Sequence, residues 1–207
     1  MVLNRYWVRN YRSLFDVELQ PGQLTVVVGA NGTGKTNLYR ALNLLSRGTR
    51  GELARALLEE GGMPSVMFAG NAQRPSREKN HVVIGVTVGE VSYEISLGMA
   101  GPGEGFPLDP VIRAEVAWVG PRRNHRTVIA DRAGDSALLT DVDGHKAAAA
   151  NTFDPAELLL AQLSEPGRYP ELFSLRAHLG RWRSYHEFPT GPDAPPEGTS
   201  PACGRRS

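Results

Sequence analysis

An α/β fold, with a mixed sheet and an antiparallel flank, is the reading that three features impose on this 207-residue chain. The run Gly29-Ala30-Asn31-Gly32-Thr33-Gly34-Lys35-Thr36 fits G-x-x-x-x-G-K-[ST], and it sits where a β-branched run gives way to helical spacing. The middle third changes to a period of two, the mark of strands. Helical spacing then returns after Pro155.

Taken in order, residues 3–11 alternate enough for a strand, with Tyr6 and Val8 on one face. Arg12-Ser13 interrupts it, and residues 15–19 alternate again, apolar then acidic. Pro21-Gly22 turns the chain into residues 24–28, Leu-Thr-Val-Val-Val. That run is apolar on both faces, as a buried strand of a parallel sheet would be. Leu38, Ala41, Leu42 and Leu45 recur at helical spacing, predicting a helix from about Gly34 to the polar cluster Ser46-Arg47-Gly48. A second helix is predicted over 52–60, stopped by Gly61-Gly62. Residues 81–88 and 91–97 flank Gly89-Glu90 as a hairpin, and 112–119, 127–130 and 137–140 are further strands. Asp143-Gly144 reads as another hairpin turn. Residues 155–163 and 170–179 read as helices, each opening on a proline whose missing N–H is harmless in the first turn. Trp182 to Phe188 reads as a short last strand. The Pro- and Gly-rich residues 189–207 read as a disordered tail behind a lobe spanning 1–188.

The glycine-rich run carries the chemistry. Gly29, Gly32 and Gly34 let the backbone curl so that successive N–H groups converge on an anion. Lys35 adds a charge that reaches phosphate oxygens, and the Thr36 hydroxyl is a Mg²⁺ ligand. The helix that follows presents its positive dipole end to the same point.

Composition removes other classes. A net charge of +1 gives no bulk attraction to a polyanion. Of 23 basic residues only Lys35, Lys79 and Lys146 are lysines, a bias that fits a GC-rich genome. The single cysteine, Cys203, rules out an internal disulfide and suits a reducing cytoplasm. No apolar run reaches membrane-spanning length, so a cytoplasmic location is expected.

The combination N-Y-R-S-L (residues 10–14), an alternating strand, T-V-V-V-G-A-N-G-T-G-K-T-N (residues 25–37) and L-x-x-A-L resembles the N-terminal lobe of RecF/SMC-like ATPases. These form an ABC-type group that includes AAA-family proteins of the RecF and OLD kind. The likeness is strong over the first 46 residues and weak over 158–188. It implies that Arg12 and Ser13 approach the nucleotide, that Asn31 to Thr36 wrap the β-phosphate with Asn37 following, that Lys35 neutralises the γ-phosphate, and that Thr36 holds Mg²⁺. It further implies ATP-driven head-to-head association, with roles in DNA repair, chromosome organisation or defence against phage.

The sequence departs from that pattern in one respect. Val91-Ser92-Tyr93-Glu94 and Leu138-Leu139-Thr140-Asp141 are the nearest segments to the family's acidic Walker B strand, and neither fits. No S-G-G-type signature follows. The chain therefore reads as half of an ATPase, truncated or completed by a C-terminal half, with no catalytic residue identified and very slow turnover. The alternative is a nucleotide-binding or interaction module without catalysis, or a relic. A small-molecule kinase fits worse, since Asn31 and Asn37 argue against it.

Other candidates have plainer readings. Arg122 to Arg126 reads as a solvated connection, and Arg181, Trp182, Arg183 and Tyr185 as a half-buried strand. Asp141 and Asp143 read as turn residues, the five histidines offer no zinc-ligand pair, and Tyr6 and Tyr11 read as core.

Overall fold

The computed structural model describes residues 2–68, 70, 81–101, 110–150 and 152–183. Eight strands form one sheet in the order β2-β1-β3-β4-β5-β6-β7-β8, and every pairing is antiparallel. They are β1 (Leu3–Tyr11), β2 (Leu14–Leu19), β3 (Val82–Val88), β4 (Val91–Met99), β5 (Pro110–Val119), β6 (Val128–Ala133), β7 (Ser136–Thr140) and β8 (Lys146–Ala148). Among the described residues the helices are α1 (Lys35–Gly48), α2 (Leu53–Glu59), α3 (Met63–Val66), α4 (Leu159–Gln162) and α5 (Pro170–Gly180). The α/β class and the antiparallel middle third are as the sequence reads.

The alternation of the strands decides which face is covered. Tyr6, Val8, Ile84, Val86, Tyr93, Ile95 and Leu97 point to one side, where they join Leu44, Leu45, Leu53, Leu57, Leu175 and Leu179 of the helices in the main core. The opposite face carries a smaller cluster, Trp7, Val116, Trp118 and Val128. There the Trp7 ring lies across Gly85, its register partner on β3, and donates its indole N–H to Glu94 at 2.7 Å.

The end of α2 follows from Gly61 and Gly62. Gly61 N–H bonds to Leu58 C=O (3.0 Å) and Gly62 N–H to Leu57 C=O (2.8 Å). Both glycines have positive φ, 95° and 79°, so this is a Schellman stop that a side chain would strain.

The structure corrects three expectations. Residues 24–28 form no strand: Leu24 lies in a bend, 25–28 have no regular structure, and Leu24, Val26, Val27 and Val28 are 85%, 72%, 45% and 84% exposed. A run apolar on both faces suits a strand whose sheet is covered on both faces, and among the described residues no strand pairs with it, the sheet ending at β2. Second, residues 155–158 are not helical, and α4 is a single turn from Leu159. The C=O groups of Asp154 and Glu157 are engaged by the buried Arg132 guanidinium (2.6 and 2.7 Å), and the Leu159 N–H donates to the buried Glu115 carboxylate at 2.8 Å. Third, Trp182 and Arg183 are not in a strand. Residues 184–188 of that expected strand, the tail 189–207 and Cys203 lie outside the described residues.

Candidate functional site

The loop before α1 takes the geometry its glycines allow. Gly32 and Gly34 have φ of 85° and 97°, and Gly34, in the left-handed region, is the N-cap of α1. Its carbonyl accepts the Asn37 and Leu38 N–H groups at 2.9 and 3.1 Å, closing the first turn. The Lys35 and Thr36 N–H groups have no carbonyl one turn earlier to bond, and both residues line a cavity of about 250 Å³ together with Asn31, Gly32, Gly34 and Asn37. Lys35 folds back over this loop, its Nζ donating to the carbonyls of Gly29 (2.6 Å) and Ala30 (2.7 Å). The Thr33 hydroxyl also donates to Ala30 C=O, at 3.0 Å. Thr36 is exposed.

The β1–β2 turn buttresses the loop. Asn37 Nδ2 donates to Ser13 Oγ at 2.9 Å. A Cβ on Gly34 would lie 2.7 Å from Ser13 Oγ and 2.9 Å from Leu14 Cδ2. This turn itself is held in an unfavourable backbone, with Asn10 at φ 57° and Arg12 at φ 50°, each costing roughly 1–3 kcal/mol unless neighbours over-determine it. They do: Arg12 N–H bonds to Val66 C=O (2.7 Å), Phe68 N–H to Asn10 C=O (2.9 Å), and Asn10 Nδ2 to His81 C=O (3.1 Å).

Of the two residues expected near a nucleotide, the structure therefore brings Ser13 to the loop and turns Arg12 elsewhere. The Arg12 guanidinium pairs with Glu60 at 2.9 Å, and the same Glu60 oxygen accepts the Tyr11 hydroxyl at 2.5 Å. Burial, and then Glu60, raise the Tyr11 phenol well above its ordinary range. Tyr6 is likewise core, donating to Leu38 C=O of α1 at 2.7 Å. Sequence reasoning missed Glu60 as the partner of Arg12, since nothing local links residues 48 apart in sequence.

A second set of residues fixes α1 from its far end. Glu115 and Arg132 are 1% and 0% exposed and pair at 3.3 Å. Glu115 also accepts the Tyr93 hydroxyl and the Leu159 N–H. Burial pushes the Glu115 carboxyl above its ordinary range, against the opposing pull of Tyr93, the backbone N–H groups and Arg132. This clamp holds residues 153–160 on the sheet, and Leu158 packs so closely on α1 that a Cβ on Gly48 would lie 2.6 Å from its Cδ1. The helix that bears the loop is thus seated on a buried polar network.

The remaining sequence candidates keep their plainer roles. Arg122 to Arg126 form an exposed connection, where Asn124 Oδ1 caps the Arg126 and Thr127 N–H groups. Asp141, Asp143 and His145 have ligand atoms within 4.8 Å of one another, but Asp141 Oδ1 already accepts the Asp143 and His145 N–H groups of the turn. Glu94 is occupied by Trp7 and Arg9. Among the described residues no helix is long and apolar enough to cross a membrane.

The OLD nuclease of Thermus scotoductus (strain ATCC 700910 / SA-01) is 48% identical over 44 residues, 21% of this chain and 8% of that protein. The cytochrome c biogenesis ATP-binding export protein CcmA of Bordetella parapertussis (strain 12822 / ATCC BAA-587 / NCTC 13253) is 53% identical over 45 residues, 22% of this chain and 20% of that one. The chain thus matches about a fifth or less of the length of these curated relatives. An SMC ATPase structure aligns with 81% of this chain and 83% of its own, at 16% identity and a TM-score of 0.31. Residues 24–189 match the family "AAA domain, putative AbiEii toxin, Type IV TA system". With its loop seated on α1 and most of its length inside that match, the chain belongs to this AAA-domain family, as an α/β lobe of ATPase type.

Proposed function

We propose that this lobe binds MgATP through residues 29–37, with the phosphates in the cavity at the head of α1. What carries the reading is the junction at Gly34: a left-handed glycine caps the helix, and the first-turn amides and Lys35 surround one small concavity. On binding, Lys35 exchanges the Gly29 and Ala30 carbonyls for phosphate oxygens, and the loop amides take the remaining acceptors. The donor set suits the metal as well, because the exposed Thr36 hydroxyl at the first turn would hold Mg²⁺ beside the phosphates. The ion would supply charge neutralisation. Ser13 acts indirectly, by holding Asn37 and the loop–helix junction.

In a complete ATPase, positioning and charge neutralisation of this kind supply most of phosphoryl-transfer catalysis. A role in DNA repair or defence would follow from the resemblance to RecF- and OLD-type proteins, with head-to-head pairing or a complementing C-terminal half supplying the groups that orient water. The second reading, a nucleotide-binding module without turnover of its own, is favoured by one observation. The two acidic residues nearest to a Walker B position, Glu94 and Asp141, are engaged by Trp7 and Arg9 and by turn amides. The two readings share the site and differ in rate.

Equilibrium titration with ATP, ADP, pyrophosphate and adenosine tests the shared claim. A phosphate-directed site binds the first three with Mg²⁺ and ignores adenosine. Adenosine binding as well as ATP would refute it. Release of inorganic phosphate from ATP then separates the two readings.

A further inference from the structure

Residues 35–40 of α1 are exposed or half-buried, and full burial along the helix begins only at Ala41. The first turn, which borders the cavity, therefore lies beyond the apolar packing that seats the rest of the helix. Tyr6 reaches it from the sheet. This residue is 2% exposed and lies inside β1, where it pairs with Leu19 of β2 on one edge and with Val86 of β3 on the other. Its hydroxyl donates to Leu38 C=O at 2.7 Å, and the N–H of the same Leu38 bonds to Gly34 C=O at 3.1 Å. Leu38 thus closes the first turn on its left-handed cap through its N–H and is tied to the sheet through its C=O.

A tyrosine at this position does more than fill the core. Phenylalanine would bury the same ring with no polar atom to desolvate. Nor does the hydroxyl rescue an orphaned acceptor, because inside a helix the Leu38 carbonyl also receives the Leu42 N–H. Burial holds the phenol well above its ordinary range, so the hydroxyl keeps its proton and the bond persists across the working pH range. Its specific effect is geometric: it fixes the turn that carries Lys35 and Thr36 against a strand paired on both edges.

We propose that Tyr6 is a positioning residue of the phosphate site, its hydroxyl holding the first turn of α1 where Lys35, Thr36 and the free amides face one anion. This role rests on the MgATP reading of residues 29–37, and Tyr6 lies outside that motif. Without the bond the turn occupies its binding-competent place only part of the time, and the apparent affinity falls by that fraction.

The test is Tyr6→Phe in the full chain, which removes one oxygen and keeps the ring. It is read by calorimetric titration with MgATP and by amide hydrogen exchange of the free protein. The expected result is an affinity weaker by about 3- to 10-fold, ~0.6–1.4 kcal/mol, with a melting temperature within about 4 °C of the parent. The Asn37 and Leu38 amides, which bond to Gly34, should quicken at least ~3-fold more than those of Leu44 and Leu45, which report the helix as a whole. Leu139→Ala is the control for stability alone. That site is 3% exposed on β7, five strands across the sheet from β1. The variant should melt lower than Tyr6→Phe, yet keep its affinity within ~2-fold at a temperature where it is folded. Equal MgATP binding by Tyr6→Phe and the parent, exchange that quickens evenly along α1, or an equal loss of affinity in Leu139→Ala would each overturn the positioning role. A parent that fails to bind MgATP would refute the nucleotide reading instead, and exchange of the free chain then still decides whether Tyr6 holds the first turn.

Discussion

Replacing Arg132 by methionine removes the cation of the buried clamp while keeping most of its volume. The structure sets the size of the loss. Arg132 donates to the carbonyls of Gly134 (2.7 Å), Glu157 (2.7 Å) and Asp154 (2.6 Å) and to Glu115 (3.3 Å), and its guanidinium lies 5.5 Å from the Phe153 ring centroid. The three carbonyls sit near the rim and can recruit water, but Glu115, at 1% exposure, cannot. A buried charge stripped of its partner costs about 3–5 kcal/mol. For a chain of this size, about 2–4 °C are lost per kcal/mol, so thermal unfolding should fall by roughly 6–20 °C. The deficit has a pH signature. Glu115 already titrates above its ordinary range because it is buried, and losing Arg132 raises it further. An acid whose folded pKa exceeds its unfolded one loses stability as pH rises between the two values. The variant's deficit is therefore largest at neutral pH and shrinks on acidification, as Glu115 becomes neutral. Arg132→Met/Glu115→Gln, with no bare charge left, should recover at least ~1 kcal/mol. A single variant within ~0.5 kcal/mol of the parent, or a deficit independent of pH, would refute this account of the clamp.

Three other outcomes follow from the same geometry. Gly85→Ala forces a Cβ to 2.0 Å from the Trp7 ring, and overpacking of this kind should lower stability by about 1–3 kcal/mol in denaturant titration. A smaller loss would mean that Trp7 can swing clear of β3. Gly34→Ala combines a left-handed φ of 97° with contacts of 2.7 and 2.9 Å on Ser13 and Leu14. About 1–2 kcal/mol from the backbone alone should appear in chemical unfolding, together with weaker MgATP binding, and unchanged values in both would remove Gly34 from the junction. Leu24→Ser, at an 85% exposed position, should leave monomer stability within ~0.5 kcal/mol, whereas a drop of about 2 kcal/mol or more would show the side chain buried in solution.

The strands of the middle sheet were legible because a period of two records which face is covered, and the hairpin glycines, such as Gly89 and Gly144 at φ 60° and 82°, mark where each strand turns back. The helix stop at Gly61-Gly62 was equally plain. Residues 24–28 were misread for a physical reason: two-sided apolarity reports that a segment can be buried, and says nothing of whether neighbouring strands exist to bury it. The opening of α4 failed differently. Pro155 would have suited a first helical turn, but Arg132 and Glu115, which take the local carbonyls and N–H groups, come from β6 and β5. The loop's position was clear from its glycines. That Ser13 supports it while Arg12 turns to Glu60 depends on the positive φ values of Asn10 and Arg12; asparagine tolerates that conformation, but an arginine gives no sign of it.

Calorimetric titration of the whole chain with MgATP, beside Lys35→Ala, tests the central claim most directly. Lys35 must release two loop carbonyls, 2.6 and 2.7 Å away, to reach a phosphate. The net gain is therefore about one charge-assisted bond, ~1.5–3 kcal/mol. The expected result is saturable binding by the parent and an affinity at least ~10-fold weaker in the variant. Equal affinities, from two proteins that melt alike, would contradict the assignment of residues 29–37 as a phosphate site.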